Sequence, residues 1–225
     1  MPTVLLVRHA QASFGSADYD TLSPTGLEQA ELLAAAIGRR ELKVTRIVSG
    51  PARRQLDTAA AVVVPGGPEV EADPRWDEYM TEEVLRHHAR TRASLDGTGA
   101  GGERITSREF QQVLDVALED WVRRGGETGA AQSWPQFLAS RTAALAELAE
   151  SLGSGETGLA FTSGGVIAAL AADLLGHPDL FPRLNRVLVN TGITKVAIGR
   201  AGTSMVTFNE HAHIDDGGGR LLTYR

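Results

Sequence analysis

The chain has 225 residues, 42% of them hydrophobic, enough to bury one sizeable core, and its length calls for no second domain. Its formal net charge is −6 and its lysines and arginines are scattered, which excludes the basic stripe that a nucleic-acid partner needs. Without cysteine there are no disulfides and no thiolate chemistry. The apolar N-terminal run is too short for a signal peptide or a membrane span, so the reading is a cytoplasmic protein with no membrane partner.

Thr3 to Val7 is a continuous Leu and β-branched run, the pattern of a strand buried on both faces in a parallel sheet. Ser23-Pro24 then opens a helix with a capping residue and a first-turn proline, and Leu27, Ala30, Ala34 and Ile37 share a face until Gly38. Arg46 to Ser49 reads as a short strand, Gly50-Pro51 as a turn, and Ala52 to Val64 as an alanine-rich helix closed by Pro65-Gly66-Gly67. Thr81 to Leu152 is helical in pattern, interrupted by Gly97 to Gly102 and by Gly125 to Gly129. Neither glycine run follows a strand or ends in GK[ST], so both are connections and not phosphate loops. Gly158 to Thr162 predicts a strand, Ser163-Gly164-Gly165 a turn, and Val166 to Leu175 an apolar helix. Val187 to Val189, Thr194 to Ile198 and Met205 to Phe208 are the remaining strand candidates. The βαβα order predicts an α/β fold, a three-layer α/β/α sandwich with a mostly parallel central sheet, in one domain over 1–225 with a helical cap at about 80–152.

Arg8-His9 directly follows the first buried strand, and parallel α/β sheets bind ligands beyond the carboxyl ends of their strands. Ser49 to Ala59 places Arg53 and Arg54 at the start of a helix after another strand. Helix N-terminal amides and a planar guanidinium both suit a phosphoryl group.

These residues resemble the histidine phosphatase (phosphoglycerate mutase-like) superfamily, in its phosphatase-type branch. The family's Arg-His-Gly signature is similar to Val7-Arg8-His9-Ala10, and its Ser-Pro-Leu-x-Arg-Ala-x-Gln-Thr-Ala stretch to Gly50–Ala59, which aligns the second arginine with Arg54. Tyr19-Asp20-x-Leu22-Ser23-x-x-Gly26-x-x-Gln29-Ala30 resembles the family's first loop and helix. Asp73-Pro74-Arg75-Trp76-Asp77-Glu78 resembles the segment that carries its proton donor, which points to Glu78, with Asp77 the second choice. Asn190 to Thr194, Phe208-Asn209 and His213-Ile214 look like its closing strands. The likeness is weakest between Met80 and Leu152, the cap that sets substrate preference in the family.

The largest departure is Thr162-Ser163-Gly164-Gly165-Val166-Ile167, where the family has Thr-His-Gly-Gly-Val-Ile. Ser163 can cap the following helix and give phosphate one neutral hydrogen bond beside the glycine amides. It carries no imidazolium charge, and the loss of one such donor typically costs on the order of a hundredfold in rate. The resemblance implies a phosphomonoester hydrolase for a small phosphorylated substrate. His9 would be the nucleophile that carries a phosphohistidine, and Glu78 the acid and then the base. Arg8, Arg54, Ser163 and Gly164 would bind phosphate, with inorganic phosphate as product and no metal or other cofactor. A homodimer is compatible with all of this.

Three other readings stand beside it. A catalytically impaired phosphate-binding or regulatory homologue would explain Ser163. A metallohydrolase is suggested by His211-Ala212-His213-Ile214-Asp215-Asp216, where the His-x-His pair on a strand could face one metal, whereas His87-His88 is weaker because helix neighbours point apart. A mutase ranks low, because Gln11-Ala12-Ser13 looks like the phosphatase-type continuation of the signature. Trp121, Trp134 and Phe137 read as core packing.

Overall fold

A computed structural model describes residues 1–13, 20–62, 66–87, 107–127, 131–200, 202–215 and 218–224. The elements run β1 (Thr3–Arg8), α1 (Pro24–Gly38), β2 (Val44–Ser49), α2 (Arg53–Ala61), β3 (Val70–Ala72) and α3 (Thr81–His87). They continue with α4 (Ser107–Arg124), α5 (Trp134–Glu150), β4 (Thr157–Thr162), α6 (Gly164–Leu174), α7 (Phe181–Val187), β5 (Ile193–Gly199) and β6 (Gly202–Glu210). Tyr19, Val64, Pro65, His88, Asp216 and the glycine runs at 97–102 and 128–129 lie outside the described residues.

The sheet has six strands in the order β3-β2-β4-β1-β5-β6. The pairs β3·β2, β2·β4 and β4·β1 are parallel, and β5 joins antiparallel to β1 with β6 antiparallel to it, so the sheet is mostly parallel. Register aligns the strand ends: Arg8 lies opposite Thr162, Ser49 opposite Phe161, and Ser49 opposite Ala72. Four carboxyl ends therefore share one rim of the sheet.

Strand alternation builds the layers. Val4, Leu6, Val48 and Ala160 face one side, where α3 to α7 supply Leu85, Leu118, Phe137, Ile167 and Phe181. Leu5, Val7, Ile47, Leu159 and Phe161 face the other, where α1 and α2 supply Leu33, Ile37 and Ala59. Trp121, Trp134 and Phe137 are buried; Phe181 packs on Trp134 at 4.5 Å and on Trp121 at 6.3 Å between ring centroids, and Phe137 packs on Trp121 at 5.3 Å.

Several expectations need correction. The buried face of α1 is Gly26, Gln29, Ala30, Leu33, Ala36 and Ile37, and Leu27 is exposed, because the helix buries polar Gln29 among its apolar residues. Val187 to Val189 is no strand: Val187 ends α7, and the amides of Val189 and Asn190 are taken by the Asn209 side chain and the Thr223 carbonyl, not by a ladder. β3 went unread in the sequence, being three residues long with only one hydrophobe able to pack. Helix α6 begins at Gly164, earlier than expected, and the described part of the Ala52 helix runs Arg53–Ala61.

Candidate active site

The parallel order carries Glu78 past β3, Arg54 past β2, Ser163 and Gly164 past β4 and His9 past β1 to the same rim. His9 is fixed by its backbone: its amide donates to the Thr162 carbonyl at 2.8 Å, and its carbonyl accepts from the Asn190 side chain at 3.0 Å. The next amide, of Ala10, donates to Thr58 Oγ1 at 3.0 Å, which ties the turn to α2.

His9 is buried, with 7% of the residue exposed, and its ring Nδ1 stands 2.8 Å from the Ala10 carbonyl. A carbonyl only accepts, so Nδ1 holds the proton and Nε2 keeps its lone pair. That lone pair meets Arg54 Nε at 3.3 Å. Burial first, then the charges of Arg8 and Arg54, push the His9 pKa well below its ordinary value, while the Ala10 carbonyl opposes the shift. The ring is therefore neutral at neutral pH, with the lone pair of Nε2 unprotonated.

The two arginines at the start of α2 part company. Arg53 is exposed and faces Asp57 at 3.6 Å, while Arg54 turns inward with its side chain only 16% exposed. Asp20, which was read only as part of a family-like loop, holds Arg54 Nη1 at 2.5 Å. Arg8 gives Nη1 to the Leu188 carbonyl and Nη2 to the Tyr224 carbonyl at 2.8 Å. Its guanidinium is thus a buried charge anchored by main chain, an arrangement that a sequence cannot display.

Glu78 lies at the N-terminus of α6. Its Oε2 accepts from the Gly165 amide at 3.1 Å and its Oε1 from the Tyr79 amide at 3.0 Å. Burial raises its pKa, and those amides with Arg8 and Arg54 oppose the rise. A Cβ on Gly165 would stand 2.1 Å from Glu78 Oε1 and 2.5 Å from a Tyr79 ring carbon, so glycine is what lets the carboxyl approach. Asp77 turns back to accept from the Glu78 amide at 2.8 Å. Its carbonyl takes a bond from Arg141 at 2.9 Å.

Ser163 departs from its expected roles. It makes no side-chain cap on α6; its buried hydroxyl accepts from Gln55 Nε2 at 2.8 Å. The Gly165 amide is occupied by Glu78, which leaves, among the described residues, the Gly164 amide without a partner. Gln55 is itself fully buried, bridging the Ala52 amide, the Trp76 carbonyl and Ser163. The remaining histidines serve elsewhere. His211 Nδ1 bonds the Asn209 carbonyl and His213 Nε2 meets Thr191 Oγ1 at 3.1 Å. Burial lowers His213 to a pKa of about 4. Among the described residues no three His, Asp or Glu side chains gather as a metal site, so the His-x-His motif does not assemble one there. No described helix is long and apolar enough to cross a membrane.

The family model described as histidine phosphatase superfamily (branch 1) matches residues 4–97 and 100–211. The chain belongs to the histidine phosphatase superfamily. Solved structures of similar fold include a mutant phosphoserine phosphatase from Entamoeba histolytica in complex with phosphoserine. It has 21% identity and a TM-score of 0.68, with 95% of this chain and 100% of that one covered. A mycobacterial glucosyl-3-phosphoglycerate phosphatase has 24% identity and a TM-score of 0.61, with 93% and 99% covered. The same enzyme with VO3 gives 23% and 0.64, with 92% and 99% covered. No curated protein matches the sequence. In a histidine phosphatase, the geometry above gives each residue of the rim a chemical context: a neutral imidazole, two guanidinium groups and a carboxyl biased toward its acid form.

Proposed function

We propose that the chain is a phosphomonoester hydrolase that works through a phosphohistidine on His9 and needs no metal. His9 Nε2 attacks phosphorus as the bond to the leaving oxygen breaks, and Glu78 gives its proton to that oxygen. Water then attacks the phosphohistidine, Glu78 takes back a proton, the P–N bond breaks and inorganic phosphate leaves. Arg54 and Arg8 balance charge on the transferring group, while the Gly164 amide and the Ser163 hydroxyl are the neutral donors. Ser163 accepts its bond from Gln55, so its own proton remains available to an anion. The helical stretch at 80–152 would cap the leaving-group side, within one working unit of 1–225. A small phosphorylated substrate fits the neighbours, whose structures hold phosphoserine and inorganic phosphate.

One observation carries this reading: Nε2 of His9 has its lone pair 3.3 Å from Arg54 while Nδ1 is committed to Ala10. Replacing His9 by Ala should abolish hydrolysis of p-nitrophenyl phosphate and phosphoserine. Undiminished turnover by that variant would overturn it. The impaired-homologue reading rests on the neutral Ser163, and it takes over if the unaltered chain binds phosphate and hydrolyses neither ester.

A further inference from the structure

Among the described residues, Asp20 is the acidic group closest to the arginine that faces His9. It sits at the end of a short antiparallel ladder formed by the Ala12–Leu22 bridge and the Ser13 amide on the Thr21 carbonyl at 2.8 Å. From there one carboxylate oxygen takes Arg54 Nη1 at 2.5 Å and the other takes the Arg53 amide, the first of α2, at 2.7 Å. Its side chain is 38% exposed against 16% for Arg54, so the carboxylate stands on the solvent side of the guanidinium.

A guanidinium offers a phosphoryl group either its end fork, Nη1 with Nη2, or its side fork, Nε with Nη2. With Nη1 held by Asp20, the end fork is spent. Nε already points at His9 Nε2 at 3.3 Å, and among the described residues Nη2 has no partner. The side fork thus faces the place where a phosphoryl group joined to Nε2 must lie. The carboxylate also cancels much of the positive charge there, which weakens attraction for a free phosphate dianion.

Resting on the phosphohistidine reading above, we infer that Asp20 is a positioning residue. It acts through Arg54 by aiming the side fork at the phosphoryl group, and it loosens the site's hold on the product anion. A merely structural residue at this place would lose phosphate affinity when replaced. Asp20 predicts the opposite sign for affinity and a loss of rate.

The test compares the unaltered chain, Asp20→Asn, Arg54→Ala and the double variant. Inorganic phosphate binding is measured by calorimetric titration, and kcat is measured on p-nitrophenyl phosphate. Asp20→Asn should bind phosphate about two- to fivefold more tightly, the range expected of one partly exposed charge, and should lose about tenfold in kcat. In the Arg54→Ala background the same substitution should change neither quantity by more than about twofold, because its lever is gone. Weaker or unchanged phosphate binding in Asp20→Asn, or an undiminished Asp20 effect without Arg54, overturns the inference. If the unaltered chain binds phosphate but hydrolyses nothing, the proposed activity fails and the affinities alone still decide the role of Asp20. Absence of phosphate binding in every variant overturns the inference, and absence of turnover with it overturns both.

Discussion

Glu78 and Gly165 are one device seen from two sides. Adding a methyl group at Gly165 would meet the carboxyl at 2.1 Å, so Gly165→Ala should fold and lose about a hundredfold in kcat, the scale of a displacement of about 1 Å in a catalytic group. Matching activity in that variant would mean that Glu78 is no proton donor. Glu78→Gln should cost about 10² to 10⁴ on an alkyl phosphate, and far less on p-nitrophenyl phosphate, whose leaving group departs without a proton. Acid and base limbs follow from the signs of the two shifts. His9 is active neutral and its pKa is depressed, so the rate should fall with acid only well below pH 6.5. Glu78 is active protonated and its pKa is raised, so the rate should fall with base, from a midpoint above 4.5. A pH profile of kcat/KM for Glu78→Gln should lack that basic limb; a limb of unchanged position would assign it to another group. That Arg8-His9, Arg54 and Glu78 meet at one rim was legible, because each belongs to a motif of fixed spacing. The Ser163 bond to Gln55 and the Asp20 bond to Arg54 were not, because each joins residues of different segments through side-chain orientation.

At the scale of elements, α2 is the hinge of the site, joined to β4 and α6 through one buried amide. Gln55 satisfies three groups at once, so Gln55→Leu leaves the Ala52 amide and Ser163 without it and should destabilise the chain by about 2 kcal/mol in urea denaturation. Unchanged stability would show that water replaces the amide at no cost. Helix α1 was legible from Ser23-Pro24, and Ser23 does accept from the Gly26 amide at 3.0 Å. Its inward face was misjudged, since a polar glutamine at a core position breaks the hydrophobic pattern. Gln29 earns that position by bonding the Gln11 amide, the Leu221 carbonyl and Thr223, tying the loop after β1 to the last described residues. Val187 to Val189 misled for the converse reason: a β-branched run became the exit from α7, with the Val187 carbonyl and the Val189 amide both bonded to the Asn209 side chain.

Across the whole molecule, Arg141 joins the aromatic cluster to the segment that carries Glu78. Phe137 is fully buried, packs against Trp121, Trp134 and Tyr79, and lies 3.9 Å beneath the Arg141 guanidinium that holds the Asp77 carbonyl beside Glu78. Phe137→Ala should therefore cost about 3–5 kcal/mol of stability and lower kcat in the surviving folded fraction. The parallel half of the sheet was readable from buried strands followed by helices. The antiparallel placement of β5 and β6 was not, because strand direction depends on tertiary pairing that local pattern leaves open. What unites these scales is the claim that the shared rim makes His9 a phosphoryl carrier, and one measurement addresses it directly. The chain is mixed with labelled p-nitrophenyl phosphate, quenched within a turnover and digested for mass spectrometry. The account predicts an acid-labile phosphoryl group on the His9 peptide, more of it in Glu78→Gln and none in His9→Ala. Product formed with no such phosphopeptide, or label on His211 or His213 instead, would contradict it.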